Sequence, residues 1–229
     1  MKILALGAHP DDIEIFMYGL VSIYKNEGNQ VFTMVATDGA KGGSQEDDLL
    51  TKQRAEETTA GLKDLSAPIF LNIPDGELGE TPEHKKIIKG NILNVMPDLI
   101  ITHSQHDYHA DHRSLSILTS RAVSHYIPIL YCDTLMGVNF QPNYYIDITE
   151  HFKKNKEAIL KQNSQNPQRF VDLSKLMNSY RAAQCNAPKG KYAEAYSFTS
   201  SFPFSDIRDL LPPSLKLRPF HIDSQNGFL

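Results

Sequence analysis

Four short apolar runs alternate with three stretches of helical spacing in the first half of the chain, and this alternation limits the fold more than any other feature. Leu4–Ala8, Gln30–Thr37, Pro68–Asn72 and Asp98–Thr102 read as strands, with helical patterns over Asp12–Tyr24, about Glu46–Leu65 and Lys85–Asn94 between them. In the first helix Ile13, Phe16, Met17, Leu20 and Ile23 share one face. Strands and helices in turn predict a parallel sheet covered on both faces. Right-handed crossovers then bring the strand ends to one edge. The second half is less regular. Pro128–Tyr131 reads as a fifth strand, Tyr144–Ile148 as an antiparallel-looking one, and His151–Gln162 as a helix that Thr149 can cap. A further helix over Val171–Cys185 precedes Tyr192–Phe198. The expected class is α/β, a Rossmann-like, mostly parallel sheet with helices on both faces and a less regular C-terminal part. One domain is expected over 1–229, with a largely irregular tail over 199–229 that carries Pro203, Pro212, Pro213 and Pro219.

Composition narrows the function classes. The chain has 229 residues, 41% of them hydrophobic and 22% charged, as in ordinary globular proteins. A net charge of −4 with no basic stripe gives no footprint for nucleic acid. No apolar run approaches the roughly 20 residues that span a bilayer, and the start does not read as a signal peptide. Cys132 and Cys185 lie in no CxxC pair and read as reduced thiols. A cytoplasmic setting is the expectation.

The chemistry sits where strands end. The first strand runs into His9-Pro10-Asp11-Asp12, and Pro10 stops ladder pairing because it has no N–H. His9 and two carboxylates therefore occupy a strand-to-helix turn at a carboxyl end, where open α/β sheets bind ligands. The fourth strand runs into His103-Ser104-Gln105-His106-Asp107-Tyr108-His109-Ala110-Asp111-His112, which holds four of the nine histidines. If both loops lie on one sheet edge, they converge on one cation. Imidazole with one or two carboxylates suits zinc, or iron and other first-row metals, better than magnesium or calcium. Taken singly, Asp11 or Asp12 can serve as a helix cap, and Glu14 can be a first-turn residue favoured by the helix dipole. His103 and His106 read as loop or supporting residues, and His84, His125, His151 and His221 carry no site role.

The two clusters together resemble the paired signature of the PIG-L or LmbE-like family, zinc-dependent deacetylases acting on N-acetylglucosaminyl compounds. The first motif stands as Ala8-His9-Pro10-Asp11-Asp12-Ile13-Glu14 and the second as His109-Ala110-Asp111-His112, preceded by Asp107-Tyr108. Thr37-Asp38-Gly39, Arg54-Ala55-Glu56, Asp75-Gly76, Asp147-Ile148-Thr149, Ser164-Gln165 and Tyr192-Ala193-Glu194-Ala195 follow the family's order, so the resemblance covers about 2–198. It implies that His9, Asp12 and His112 hold Zn2+, with Fe2+ as another candidate, and that Asp11 is the general base. It implies further that His109 stabilises the oxyanion or protonates the leaving amine, and that Asp111 orients it. Arg54 resembles a position that contacts substrate, and the glycines of Asp38–Gly43 let the backbone approach it closely. Phe16-Met17-Tyr18 departs from the small residues usual after the first motif. The expected activity is removal of an N-acetyl group from an N-acetylglucosamine-type sugar or conjugate, releasing acetate and a free amine. An amidase cleaving a larger acyl or thiol conjugate, and a non-catalytic metal- or sugar-binding protein, are the alternatives. The expected partner is a small amino-sugar substrate, and a homo-oligomer is an expectation of the resemblance alone. A nucleotide-binding role fits poorly, since the first turn lacks GxGxxG and its carboxylates repel a pyrophosphate.

Overall fold

The computed structural model describes residues 1–44, 46–123 and 125–216. His221 and the part of the tail beyond Lys216 lie outside the described residues. Strands β1 (Lys2–Gly7), β2 (Gln30–Thr37), β3 (Pro68–Ile73), β4 (Leu99–Thr102), β5 (Ile129–Cys132), β6 (Tyr144–Asp147) and β7 (Ala193–Ser197) form one sheet in the order β3-β2-β1-β4-β5-β7-β6. The first five pair in parallel. β7 runs antiparallel to both β5 and β6. The antiparallel pairing expected at 144–148 is present, and β7 is the reversed strand of the pair.

The central strands β1, β4 and β5 are buried on both faces, as a covered parallel sheet requires, while the edge strands β3 and β6 are only partly covered. On β1 the alternation is direct: Ile3 and Ala5 join one apolar core with α1 (Asp12–Phe16) and α2 (Tyr18–Asn26). Leu4 and Leu6 join the other core, with α4 (Pro82–Val95) and α5 (Ala110–Val123). The remaining helices are α3 (Asp47–Gly61), α6 (Phe152–Ile159) and α7 (Pro167–Gln184).

The helix expected over 12–24 is broken at Met17, whose φ of −134° and ψ of −8° leave the helical region. A carboxylate from the far side of the sheet explains the second start. Glu194 of β7 accepts the Gly19 and Leu20 N–H groups at 2.7 and 2.8 Å, satisfying two of the donors that a helix N-terminus leaves open. Gly19 is needed for that approach, because a Cβ there would lie 2.7 Å from Glu194 Oε1 and 2.6 Å from Ile148 Cγ2.

The sheet order positions the site. From β1 the chain builds outward through β2 and β3, then returns to place β4 on the other side of β1. The carboxyl ends of β1 and β4 thus flank a topological switch point, where the loops diverge and leave a crevice. Both histidine-bearing loops leave from this point.

Candidate active site

The turn after β1 is held from three sides. Thr37 Oγ1 of β2 donates to the Ala8 carbonyl at 2.8 Å, Ala8 N–H reaches His103 Nε2 at 3.1 Å, and His9 N–H donates to Asp12 Oδ2 at 2.7 Å. Asp11 stands at the N-cap position of α1, yet its side chain makes no cap hydrogen bond. Its φ of 112° is left-handed for a residue with a Cβ, a conformation that persists only when its surroundings impose it. Neither aspartate is spent on capping the helix.

Three side chains converge. His9 Nδ1 and His112 Nε2 are 3.2 Å apart, His112 Nε2 is 3.3 Å from Asp12 Oδ1, and His9 Nδ1 is 3.4 Å from Asp12 Oδ2. Atoms about 2.0–2.1 Å from a tetrahedral ion stand roughly 3.3–3.4 Å from one another, so each pairwise spacing is of metal-ligand size, with the two histidines meeting different oxygens of the Asp12 carboxylate. His9 and His112 also group with His109, and Asp12 and His112 with His103. The far nitrogens face carboxylates. His9 Nε2 is 3.2 Å from Asp111 Oδ2 and 3.3 Å from Asp75 Oδ1, and His112 Nδ1 is 3.2 Å from Asp107 Oδ2. An imidazole with one nitrogen on a convergence point and the other on a carboxylate is the usual pattern of a metal-bound histidine. A donor set of two nitrogens and a carboxylate fits a first-row divalent cation.

Charge bears on the same point. Burial alone lowers His9, but Asp111, Asp12 and Asp75 outweigh it and raise its pKa to about 12. His112 is raised to about 9, with Asp12 and Asp107 outweighing burial. Burial pushes Asp12 up, yet the His112 and His103 charges hold it well below the ordinary carboxylate range. The cluster attracts positive charge.

Asp11 differs from its neighbour. Burial raises it to about 6, against the pull of Arg54, whose Nη2 is 3.2 Å away. Arg54 is only 3% exposed. Its guanidinium donates to the Gly39 carbonyl at 2.9 Å and the Pro10 carbonyl at 2.5 Å as well as facing Asp11. It therefore ties the loop after β2 to the first motif and braces Asp11, and it also lines the cavity. The loop glycines make room for it: a Cβ at Gly42 would fall 2.2 Å from Arg54 Nη1. Lys41 and Gly42 of the same loop also line the cavity.

His109 lies at the start of α5, half-buried, its ring centroid 4.6 Å from that of His9. Asp111 N–H points to His109 Nδ1 at 3.3 Å, which leaves Nε2 as the nitrogen that carries a proton. Burial and the His9 and His112 charges lower its pKa, so it is a neutral donor. The Asp111 carboxylate does not touch His109. It accepts the Gly76 N–H at 2.9 Å and faces His9.

Sequence reasoning gives Asp75 no site role, and His103 only a supporting one. Yet His103 is fully buried, with Nε2 3.0 Å from Asp12 Oδ2 and its ring stacked at 3.7 Å on His112. A signal was available for each: Asp75 follows β3 and His103 follows β4, and both stand at strand carboxyl ends. His106 is exposed and outside the cluster. Glu14 stands in the first turn of α1, as expected, and is fully buried there, with Gln162 Nε2 donating to Oε1 at 2.7 Å. Burial holds its carboxyl well above the ordinary range.

The site opens into a cavity of about 440 Å³, walled by Ile15, Phe16, Tyr108, Leu135 and Phe170, a size typical for small-molecule sites. Fold and site together define an α/β protein with a cation-attracting His/Asp centre at the sheet's switch point. The comparisons agree: residues 4–123, just over half of the chain, match the PIG-L family model, described as GlcNAc-PI de-N-acetylase, and the chain belongs to that family. It is 28% identical over 197 residues to diacetylchitobiose deacetylase of Thermococcus kodakarensis, covering 75% of this chain and 73% of that protein. Among solved structures, N,N'-diacetylchitobiose deacetylase of Pyrococcus horikoshii superposes with a TM-score of 0.77 at 21% identity, covering 92% of this chain and 88% of that one. The 4-carboxy-2-hydroxymuconate hydratase of Pseudomonas putida KT2440 gives 0.78 at 17% identity, covering 90% and 99%. At such identities these two likenesses speak for the fold. Among the described residues no helix is long and apolar enough to cross a membrane.

Proposed function

We propose that the protein is a metal-dependent hydrolase that removes the acetyl group from an N-acetylglucosamine-type sugar or sugar conjugate. One observation carries the reading: a buried cluster of two imidazoles and the Asp12 carboxylate, spaced 3.2–3.4 Å apart, stands beside a second carboxylate, Asp11, that is not part of it and whose pKa of about 6 suits proton transfer near neutrality. Likeness to the diacetylchitobiose deacetylase of Thermococcus kodakarensis supports the same acyl group and sugar.

His9, Asp12 and His112 would hold the ion, zinc being the best match to two imidazoles and a carboxylate. A bound zinc supplies Lewis acidity and makes coordinated water acidic near neutral pH. Asp11 takes the proton of the attacking water. His109 offers its Nε2–H to the carbonyl oxygen as negative charge develops there, a stabilisation effective because the donor is pre-set in a partly dry site. Asp11 then returns its proton to the departing nitrogen, so that water and amide become acetate and a free amine. Asp111 and Asp75 hold the His9 ring, Asp107 holds that of His112, and Arg54 holds Asp11 in place. The test is acetate release from N-acetylglucosamine, diacetylchitobiose and N-acetylglucosaminides, with and without chelator. Release that stops on chelation and returns with zinc is expected. No release from any of them by zinc-loaded protein would sink the proposal.

A further inference from the structure

We propose, resting on the deacetylase reading, that Phe16 and Leu135 gauge the acyl group: they close the cavity behind a methyl, so that acetyl is accepted and longer acyl chains are refused. The sequence sets Phe16 on the apolar face of the first helix. In the fold it is the last residue of α1, and its half-buried ring also lines the active-site cavity. The ring stands nearly perpendicular to two imidazoles of the site, its centroid 6.3 Å from that of His112 and 6.1 Å from that of His103. Leu135 comes from a separate segment, the turn after β5, and lines the same cavity. That turn is pinned on both sides of Leu135. Thr134 Oγ1 donates to the Val138 carbonyl at 2.6 Å, and the Met136 N–H meets Met177 Sδ at 3.1 Å.

The sheet order gives the cavity two unlike sides. Lys41, Gly42 and Asp75 follow β2 and β3, on one side of β1, whereas Leu135 follows β5, on the other. Ile15 and Phe16 extend the apolar side from α1. An amide whose carbonyl oxygen meets His109 has two substituents left to place. The sugar brings hydroxyl groups, which need polar partners or water. The acyl methyl has no hydrogen bond to make and gains only by burial against Ile15, Phe16 and Leu135.

What lies behind this wall makes it a gauge. The same three side chains line a second void of about 20 Å³, closed on its far side by Leu173, Met177 and Ala195. It has room for about one water molecule. Its charged neighbours are already committed: Asp133 pairs with Arg181, and Glu194 accepts the Gly19 and Leu20 N–H groups. The void thus offers an acyl chain neither a polar partner nor space. A longer chain has to displace Phe16 or Leu135, and close-packed walls resist even one added methylene. Truncating either side chain joins the void to the cavity and adds the volume of the lost atoms.

The experiment compares kcat/KM of the zinc-loaded full chain on N-acetyl, N-propionyl and N-butyryl amides, each carried on glucosamine and on chitobiose. The parent should lose about tenfold or more per added methylene, the discrimination that an apolar pocket achieves. Phe16→Ala should raise the butyryl-to-acetyl ratio roughly tenfold or more, and Phe16→Leu by less. Leu135→Ala, in the other segment, should move the ratio the same way, so the outcome does not hang on one variant folding. In an Asp11→Ala background, where turnover is lost, calorimetry should show the same shift in the relative Kd of N-butyryl- and N-acetylglucosamine. A merely structural role for Phe16 would lower every substrate alike. A parent that cleaves butyryl as fast as acetyl amides, or a ratio that the folded variants leave in place, overturns the inference alone. Inertness of the parent toward every amide overturns the deacetylase reading and this inference with it.

Discussion

The middle of the sheet and its β7 side bury ionisable groups equally well and use them differently. At the switch point, His9, Asp12 and His112 turn lone pairs toward one another and toward a cavity. On the β7 side, the Glu194 carboxylate is enclosed by the Gly19 and Leu20 N–H groups and by the Tyr196 hydroxyl at 2.6 Å. Arg181 and Asp133 likewise form a two-point pair near by, Nη2 to Oδ1 at 3.0 Å. One arrangement holds excess acceptors that call for a cation, and the other is satisfied within itself. Burial and a shifted pKa therefore do not mark a site. Convergent atoms left over beside a cavity do.

The comparison is broken most readily at the convergence point. His112→Ala should lose both bound metal and activity, the activity falling below detection, as followed by metal analysis and acetate release; a fully active variant would remove His112 from the centre. Asp11→Ala should keep its metal and lose roughly 10²- to 10⁴-fold in kcat, the usual share of a general base. Turnover near that of the parent would assign the base elsewhere. Asp107→Asn should weaken metal affinity about 10- to 100-fold without abolishing it, since it acts through the His112 ring; competition with a chromogenic chelator reads this directly.

The smallest effect belongs to the β7 side. Glu194→Gln should cost about 1–2 kcal/mol through a poorer helix cap and leave metal content intact. Burial, outweighing its three donors, raises Glu194 from 4.5 to about 7. The unfolded chain then ionises first, so this group drains stability as pH rises from about 4.5 to 7. The variant lacks that drain, and its deficit should narrow between pH 5 and 7.5 in denaturant titrations. A deficit that stays flat would mean that Glu194 is ionised across the whole range.

Much of the parallel half was legible because strand and helix there differ in period, and because Pro10 and the loop glycines punctuate them. The broken helix at Met17 was not legible, since its cause, Glu194, is 175 residues away in sequence. The partners of Arg54 were not legible for the same reason: its resemblance to a substrate-contacting position does not show that Pro10, Asp11 and Gly39 gather around its guanidinium.

By itself the sequence determined the alternation of strands and helices, and with it the two strand ends that carry His9–Asp12 and His103–His112. These are local matters of periodicity and residue chemistry. Only the tertiary structure decided that the order of strand addition reverses at β1, so that β4 lies parallel on its other side and the two loops meet at one crevice. It also decided which partner each polar group takes: Asp111 with His9 and not His109, Asp75 and Asp107 behind the imidazoles, Arg54 on Asp11. Pairings of this kind are contacts between distant segments, and no local pattern encodes the few ångströms that separate one partner from another.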